Sequence, residues 1–158
     1  MRDAAHVSST STPHMQRLLL VFAGVFTLGT EPSAIRAQEF ALVVNSANPV
    51  TSISKDEVAK LFLKKQVTWQ SGDPAAPVEL PPSAKVREAF VQTVLGKSLS
   101  QVRSYWQQQI FSGRDVPPPE KPSEDDVLAF VRANPGAIGY VTRGASLGRG
   151  VKVVTLVQ

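Results

Sequence analysis

The sequence predicts an α/β domain in which a small mixed sheet is flanked by about four helices. Segments rich in β-branched residues alternate along the chain with segments whose apolar residues recur at helical spacing. The last segment, residues 151–157, is apolar at most positions, which is typical of a strand that is buried on both faces. These two observations indicate helices packed on the faces of a largely buried sheet.

The first strand and the first helix are predicted between residues 40 and 62. Residues 40–44 favour a strand, which ends at Asn45. Ser54 and Glu57 have the spacing of a capping box, so we expect a helix to begin after Ser54. Its apolar face consists of Val58, Leu61 and Phe62.

The middle of the chain is predicted to hold two short extended segments and a second helix. Residues 67–69 and 77–80 are the extended segments. Ser83 follows Pro81-Pro82 and is the expected N-cap of the second helix, which Gly96 closes.

The rest of the chain is predicted to hold two more helices and two strands. The helices begin at Ser98 and Ser123, each followed three residues later by a side chain suited to a capping box or a cap. Residues 115–122 contain four prolines and therefore form an extended loop between these helices. Residues 137–141 and 151–157 are the last two strands.

Five further residues are interpreted as packing elements. Trp69, Tyr105 and Trp106 could form a stacking surface for a ligand, but their spacing favours packing in the core or at its edge. Gly136 and Gly139 are predicted to permit a tight turn and a close backbone approach.

The first 37 residues are predicted to be a secretory signal peptide rather than part of the domain. Arg17 precedes an apolar run over residues 18–26, and Ala37 provides a small residue at the cleavage position. The apolar run is too short for a permanent membrane-spanning helix. Cleavage after Ala37 would release residues 38–158 into the periplasm as the mature domain. An uncleaved membrane anchor is the alternative.

The true start of the protein is also open. Residues 1–14 are polar and resemble an upstream extension of the reading frame, so Met15 is a second candidate for the initiating residue.

The residue types of the mature domain restrict its chemistry. The chain has no cysteine, and both histidines, His6 and His14, precede residue 38. Catalytic systems built on Ser-His-Asp or Cys-His, and ordinary zinc sites, are therefore excluded from the mature domain. We expect a protein that is not an enzyme and that needs neither a metal nor another cofactor.

The charge balance of the mature domain allows an anionic ligand. Its net charge is +3, since three of the 17 basic and two of the 13 acidic residues of the chain precede residue 38. The basic residues are scattered and aromatic residues are few, so we expect no nucleic-acid partner.

Three segments of the mature domain resemble a known family. One of them, residues 77–90, stands where that family has a strand, a ligand loop and a helix that ends in Phe. Residues 61–65 and 67–69, LFLKK and VTW, are similar to the IFLGK-I-x-x-W segment of periplasmic phosphate-binding proteins. Residues 134–141, NPGAIGYV, resemble the PGAIGYV segment of that family. The resemblance runs from about residue 44 to 157 and implies the fold of these substrate-binding proteins of phosphate ABC transporters.

The resemblance implies a single lobe of the family's periplasmic-binding-protein fold. The family folds as two lobes that clamp the anion between them, and residues 38–158 have the length of one. The family's ligand loop in this lobe is Arg-Ser-Asp-Gly-Ser-Gly-Thr, whereas residues 80–86 here are LPPSAKV. Ser83 is the one similar residue in this stretch.

The best candidate for a binding site is the start of the second helix. Backbone N–H groups at Ala84 and the following residues, together with the positive end of the helix dipole, favour an anion there. Ser83 adds a hydroxyl group, and Lys85 and Arg87 add positive charge. The alternative is that Ser83 is a plain N-cap followed by solvated cations.

Three more residues are weaker candidates for ligand binding. Arg114 follows Ser112-Gly113 and offers a guanidinium group suited to phosphate, although a helix that ends at a glycine explains this segment as well. Asn45 and Ser46 follow the first strand, where open α/β sheets bind ligands, although a turn before Pro49 is an equal explanation.

Two functions follow from these observations. In the first, the domain binds phosphate or a related oxyanion non-covalently in the periplasm and delivers it to the membrane subunits of an ABC transporter. In the second, it is a single-lobe interaction module without a small ligand, which docks on a porin, a sensor or another membrane partner. A homodimer that rebuilds a two-lobed cleft would combine the two.

Overall fold

A five-stranded mixed sheet forms the centre of the protein. The computed structural model describes residues 39–158, so the predicted signal peptide and the choice of start residue lie outside the described residues. The strands lie in the order β2-β5-β1-β4-β3. Their bounds are Phe40–Asn45 (β1), Ser52–Ser54 (β2), Ala76–Pro77 (β3), Ala137–Thr142 (β4) and Val151–Val157 (β5).

The central strand runs against the other four. β1 pairs antiparallel with β4 and with β5. β2 pairs parallel with β5, and β3 pairs parallel with β4. The carboxyl ends of β2, β3, β4 and β5 therefore point towards one edge of the sheet, and the carboxyl end of β1 points towards the opposite edge.

Four α-helices flank the sheet, as predicted. They are Lys55–Phe62 (α1), Lys85–Phe90 (α2), Leu99–Phe111 (α3) and Glu124–Ala133 (α4). A π-helical turn, Val91–Leu95, extends α2 and ends at Gly96, which has the left-handed conformation expected of a C-terminal cap. The α/β class with a small mixed sheet and four helices is thus confirmed. Within residues 39–158, no helix has both the length and the apolar character needed to cross a membrane.

Serine caps begin three of the four helices. The hydroxyl oxygens of Ser54, Ser98 and Ser123 each accept a hydrogen bond from a backbone N–H of the first helical turn. These caps confirm the predictions, because capping depends on residues that are close in sequence.

The predicted cap of α2 was wrong. The N-cap is Ala84 rather than Ser83, and no side chain caps this helix. The Ala84 N–H donates to the Pro81 carbonyl oxygen over 2.9 Å, so a tight turn takes up residues 81–84 before the helix begins. The turn moves the start of the helix one residue beyond Ser83, and the Ser83 side chain is exposed.

The sheet is less deeply buried at β5 than predicted. β1 and β4 are buried at nearly every position, whereas Val153 and Val157 of β5 are 53% and 43% exposed. Helix α4 packs mainly against β4 and β1 and covers little of β5. The apolar sequence of β5 therefore does not mean that both of its faces are buried.

Aromatic side chains make up much of the core between the sheet and α1 and α2. The Phe90 and Tyr140 rings stack with their centroids 4.0 Å apart, and the Phe62 and Phe40 rings pack against Phe90 at 4.7 and 5.4 Å. All four side chains are at most 2% exposed. Ring contacts of this kind add to the stabilisation that burial provides.

The packing predicted for the other aromatic residues is confirmed. Trp69 and Trp106 are buried, and the Trp69 indole N–H donates to the Gly136 carbonyl oxygen over 3.0 Å. Tyr105 is partly buried, and its hydroxyl donates to the Leu63 carbonyl oxygen over 2.8 Å.

The close backbone approach predicted for two glycines is confirmed at Gly136, whereas the close neighbours of Gly139 are side chains. A Cβ atom at Gly136 would lie 2.1 Å from the Pro74 carbonyl oxygen. A Cβ atom at Gly139 would lie 2.8 Å from Val127 Cγ1 and 3.0 Å from Val78 Cγ1. Only hydrogen in place of a side chain allows α4 and the segment after β3 to pack this closely on β4.

We expect Gly139→Ala to lower the free energy of unfolding by about 1–3 kcal/mol, because the added methyl group overpacks the core. Urea unfolding measures this loss. The same substitution in a Val127→Ala background is the control, since the nearest methyl group is then absent and the cost of Gly139→Ala should fall. An equal cost in both backgrounds would contradict the packing described at this position.

Candidate functional site

The edge of the sheet at which four strands end is called the carboxyl edge here. Helix α1 begins directly after β2, and α2 begins after the extended segment that continues β3, so both helices start at this edge. Open α/β sheets bind ligands outside the carboxyl ends of their strands. The start of α2 therefore lies at the edge where open α/β sheets generally bind ligands.

The start of α2 leaves backbone donors unpaired. Ala84 has no side-chain oxygen that could cap the helix. Within residues 39–158, neither the Lys85 N–H nor the Val86 N–H donates to a protein acceptor. The side chains of Ser83 and Lys85 are both exposed beside these groups. An external anion could accept from the two N–H groups without displacing a cap.

Arg87 has a different environment from Lys85. It is 5% exposed, and its guanidinium group contacts three acceptors. Nη2 donates to Glu79 Oε2 over 2.5 Å, while Nη1 donates to Glu120 Oε1 and to the Leu80 carbonyl oxygen, each over 2.5 Å. The alternative prediction of solvated cations was thus wrong for Arg87. We call Arg87, Glu79 and Glu120 the arginine bridge.

Burial controls the ionisation of the arginine bridge. Burial raises the pKa of Glu79 to about 7, although the positive charge of Arg87 lowers it, and the nearby Glu120 carboxylate raises it further. Burial tends to lower the pKa of Arg87, but the charges of Glu79 and Glu120 raise it above the ordinary value. Arg87 is therefore protonated throughout, while Glu79 titrates near neutrality.

Tyr140 connects the arginine bridge to the aromatic core. Its hydroxyl oxygen accepts a hydrogen bond from the Leu80 N–H over 3.4 Å. Burial raises the pKa of Tyr140, and the negative charge of Glu79 raises it further. Tyr140 is therefore a neutral hydroxyl that helps to hold the segment leading into α2.

Asn45 and Ser46 do not belong to the same site. Both follow β1, whose carboxyl end lies at the opposite edge of the sheet because β1 is antiparallel to its neighbours. Asn45 Nδ2 donates to the carbonyl oxygens of Val131 and Arg132 at the end of α4, over 3.0 and 2.9 Å. Its Oδ1 accepts from the Ala47 N–H over 2.9 Å. These bonds give the Asn45 side chain a structural role at the end of α4.

Arg114 lies just beyond α3 and is exposed. The adjoining Gly113 has a φ of +66°, which is typical of a helix that ends at a glycine. The next residue, Asp115, forms an ion pair with Lys64, which follows the end of α1, over 3.1 Å. The structure therefore places Arg114 near the carboxyl-terminal end of α1, whereas Lys85 lies at the start of α2.

The sequence analysis missed the two carboxylates of the arginine bridge. Glu79 lies in the otherwise apolar run Pro77-Val78-Glu79-Leu80, and it is 1% exposed. An acidic residue in such a run indicates a buried charge that needs a cationic partner. Glu120, in the proline-rich loop, carried no comparable signal in the sequence. Within residues 39–158, no group of three or more acidic, histidine or cysteine residues could hold a metal ion.

We expect Glu79 to make stability fall as the pH rises. The pKa of Glu79 in the folded protein, about 7, is above its ordinary value of 4.5. Its contribution is fully present below pH 4.5 and is lost as the pH rises through 7. This loss amounts to about 2–3 kcal/mol between pH 5 and pH 8.

Urea unfolding of the native protein and of Glu79→Gln at these two pH values measures the effect. Glu79→Gln should remove most of the pH dependence, whereas Glu88→Gln, which changes an exposed carboxylate on α2, should leave it unchanged. Equal pH dependence in the native protein and in Glu79→Gln would contradict the raised pKa.

Comparison with known proteins identifies the fold. The sequence matches no family model, and no curated protein matches it significantly. Among solved structures, an ABC-type phosphate transport receptor from Vibrio cholerae is 21% identical, with a TM-score of 0.57 over 75% of this chain and 46% of that chain. A phosphate ABC transporter substrate-binding protein from Clostridium perfringens, solved with bound phosphate, is 19% identical, with a TM-score of 0.59 over 75% and 44% of the two chains.

A third structure, PstS from Borrelia burgdorferi, is 13% identical, with a TM-score of 0.58 over 75% of this chain and 47% of that chain. The chain thus matches less than half the length of each of these three proteins. The fold expected from the NPGAIGYV and LFLKK segments is confirmed. Residues 39–158 have the fold of a single lobe of the phosphate ABC transporter substrate-binding proteins.

Proposed function

We propose that this protein is a non-enzymatic binding protein that captures phosphate or a related oxyanion at the start of α2. The observation that carries the proposal is the uncapped start of this helix at the carboxyl edge. Among the described residues, no acceptor pairs with the Lys85 or the Val86 N–H group there. The solved structures of similar fold are named as phosphate receptors and phosphate-transporter binding proteins, which supports the choice of ligand.

The local chemistry of this helix start supports an anionic ligand. Backbone N–H groups at the start of a helix and the positive end of the helix dipole both attract negative charge. The Lys85 ammonium group adds a positive charge, and the exposed Ser83 hydroxyl can donate a hydrogen bond. Binding of this kind forms no covalent bond and needs neither a metal nor another cofactor.

Arg87 contributes to this proposed site by positioning it. Its three hydrogen bonds join the first turn of α2 to Leu80, Glu79 and Glu120. These bonds hold the residues before the helix in place. In this proposal Ser83 and the N–H groups of Lys85 and Val86 contact the anion, and Arg87 keeps them in position. The Ala84 N–H, which the sequence analysis also offered to the anion, is already paired with the Pro81 carbonyl oxygen. The proposal gives no ligand contact to Asn45, Ser46 or Arg114, which lie elsewhere in the fold.

The proposed place of action is the periplasm. The apolar run after Arg17 and the small residue Ala37 support export of the protein. A binding protein in that compartment would deliver its ligand to the membrane subunits of an ABC transporter.

Exposed apolar residues favour a second candidate function, docking on another protein. Phe111 is 90% exposed and Ile110 is 52% exposed, and both lie at the end of α3. Large exposed apolar side chains grouped together often mark protein interaction sites. In this candidate the lobe is an interaction module for a membrane partner, such as a porin, a sensor or a transporter subunit.

Calorimetric titration of the purified protein with phosphate, compared with sulfate, tests the proposed function. We expect a phosphate dissociation constant in the micromolar range or tighter, and weaker binding by Ser83→Ala. Lys85→Pro should weaken binding roughly tenfold, because proline lacks the N–H group yet suits the first position of a helix. The extended Ala84 backbone, with φ −75° and ψ 121°, is compatible with a following proline.

Lys85→Gln is the matched control for this experiment, because it removes the charge of Lys85 and keeps its N–H group. A smaller loss with Lys85→Gln than with Lys85→Pro would support recognition by the backbone. No heat with millimolar phosphate, from a sample shown to be folded, would overturn the proposed function.

The docking function has a separate test. A photo-crosslinking amino acid at position 111 in cells that produce the protein should form a cross-link to one defined membrane protein. The control carries the same photo-crosslinking amino acid at position 92, which is exposed and precedes Gly96 in the sequence. Identical cross-links from both positions would contradict docking through the end of α3.

A further inference from the structure

A cavity lies between α3, the start of α2 and the proline-rich loop. Its volume is about 260 Å³. The polar side chains at its walls are Arg87, Arg103, Gln107 and Glu120. Six apolar side chains form the rest of the lining: Pro82, Leu99, Val102, Trp106, Ile110 and Pro117.

Two buried hydrogen-bond donors in the walls of this cavity have no partner. Within residues 39–158, the buried side-chain atoms without a hydrogen bond are Trp106 Nε1, Arg87 Nε and Glu79 Oε1. Trp106 and Arg87 both line the cavity, and each is 5% exposed. Buried polar groups in proteins are normally paired, so two unpaired donors beside one cavity indicate a missing acceptor.

The second tryptophan of the chain shows the ordinary arrangement. The Trp69 indole N–H donates to the Gly136 carbonyl oxygen over 3.0 Å. Trp106 is almost as well buried as Trp69, but no residue in the described part of the chain accepts from its indole N–H. The unpaired indole N–H therefore distinguishes Trp106, which lines this cavity, from Trp69.

The charges around the cavity favour a ligand with one negative charge. Arg87 is already paired with Glu79 and Glu120. Arg103, on the exposed side of α3, forms no ion pair with any residue in 39–158. The cation available to a ligand is thus Arg103, and the unpaired donors require that the ligand offers an acceptor oxygen.

We propose that this cavity binds a small carboxylate with an apolar body, such as an aromatic or branched aliphatic acid. The apolar body lies among the six apolar side chains, and the carboxylate accepts from the Trp106 N–H beside Arg103. An apolar cavity of about 150 Å³ can hold benzene, so a cavity of 260 Å³ has room for a ring and a carboxylate.

This site is separate from the proposed phosphate site. Phosphate has no apolar body and binds to backbone N–H groups at the exposed start of α2, whereas the cavity residues belong mainly to α3. The two binding events use different ligands, so one can fail in an experiment while the other succeeds.

The test is titration of the ¹⁵N-labelled full-length protein with phenylacetate, followed by NMR. The chain has two tryptophans, Trp69 and Trp106, and therefore two indole N–H signals. Only the Trp106 signal should move downfield as its N–H gains an acceptor. Phenylacetamide, which has the same shape without the charge, should bind more weakly.

Two variants and one control complete the test, with affinities measured by calorimetry. Arg103→Gln should weaken phenylacetate binding roughly three- to tenfold, because one partly exposed cation is lost. Trp106→Phe should weaken phenylacetate binding by a similar factor. This variant should still fold, because the substitution removes a buried donor that has no partner among the described residues. Arg149→Gln, at an exposed residue before β5, should bind as the native protein does.

Three results would overturn the proposal. They are an unchanged Trp106 signal at millimolar phenylacetate, equal shifts of the Trp69 and Trp106 signals, and equal affinities for phenylacetate and phenylacetamide. Phosphate binding in the same sample would still test the proposed function, since it does not depend on the Trp106 signal.

Discussion

The structure around the proposed sites depends on the arginine bridge. Arg87 is buried between Glu79 and Glu120 and also donates to the Leu80 carbonyl oxygen. Removal of the Arg87 side chain would leave the almost fully buried Glu79 carboxylate without a counter-charge. Removing one partner of a buried ion pair destabilises a protein by more than the intact pair stabilises it. One side chain thus joins α2, the segment after β3 and the proline-rich loop. It also forms part of one cavity wall.

A second constraint is the close packing on β4. Gly139 lets Val127 and Val78 approach the strand, and the next residue, Tyr140, stacks on Phe90 and contacts the Leu80 N–H through its hydroxyl. Because Leu80 also accepts from Arg87, the aromatic core and the arginine bridge hold the same short segment from two directions. We infer that the residues before α2 are rigid, which favours binding because little conformational entropy is lost when a ligand arrives.

The described residues form one lobe, so a ligand at the carboxyl edge contacts this lobe from one side. Affinity must then come from a few well-placed donors, and the two free N–H groups at the start of α2 are suited to this. The charges of the arginine bridge are largely compensated internally, which leaves Lys85 as the nearest exposed cation of α2 to that helix start. The cavity beside α3 differs in being mostly apolar, so the site proposed there would select for ligand shape as well as charge.

Local sequence alone determined β1, β4, β5, the helices and three of the four helix caps, because capping and hydrophobic periodicity depend on residues a few positions apart. It did not predict β2, and the extended segment predicted at residues 67–69 is not one of the strands of the sheet. The sequence also determined the fold, through the NPGAIGYV and LFLKK segments.

Tertiary structure decided the remaining features. The antiparallel direction of β1 placed Asn45 at the edge opposite Ser83, and the turn after Leu80 moved the start of α2 to Ala84. Arg87 turned inward because Glu79 and Glu120, 8 and 33 residues away in the chain, meet it in the folded protein. Such pairings depend on how separate elements pack against one another, and no pattern within a single segment encodes them.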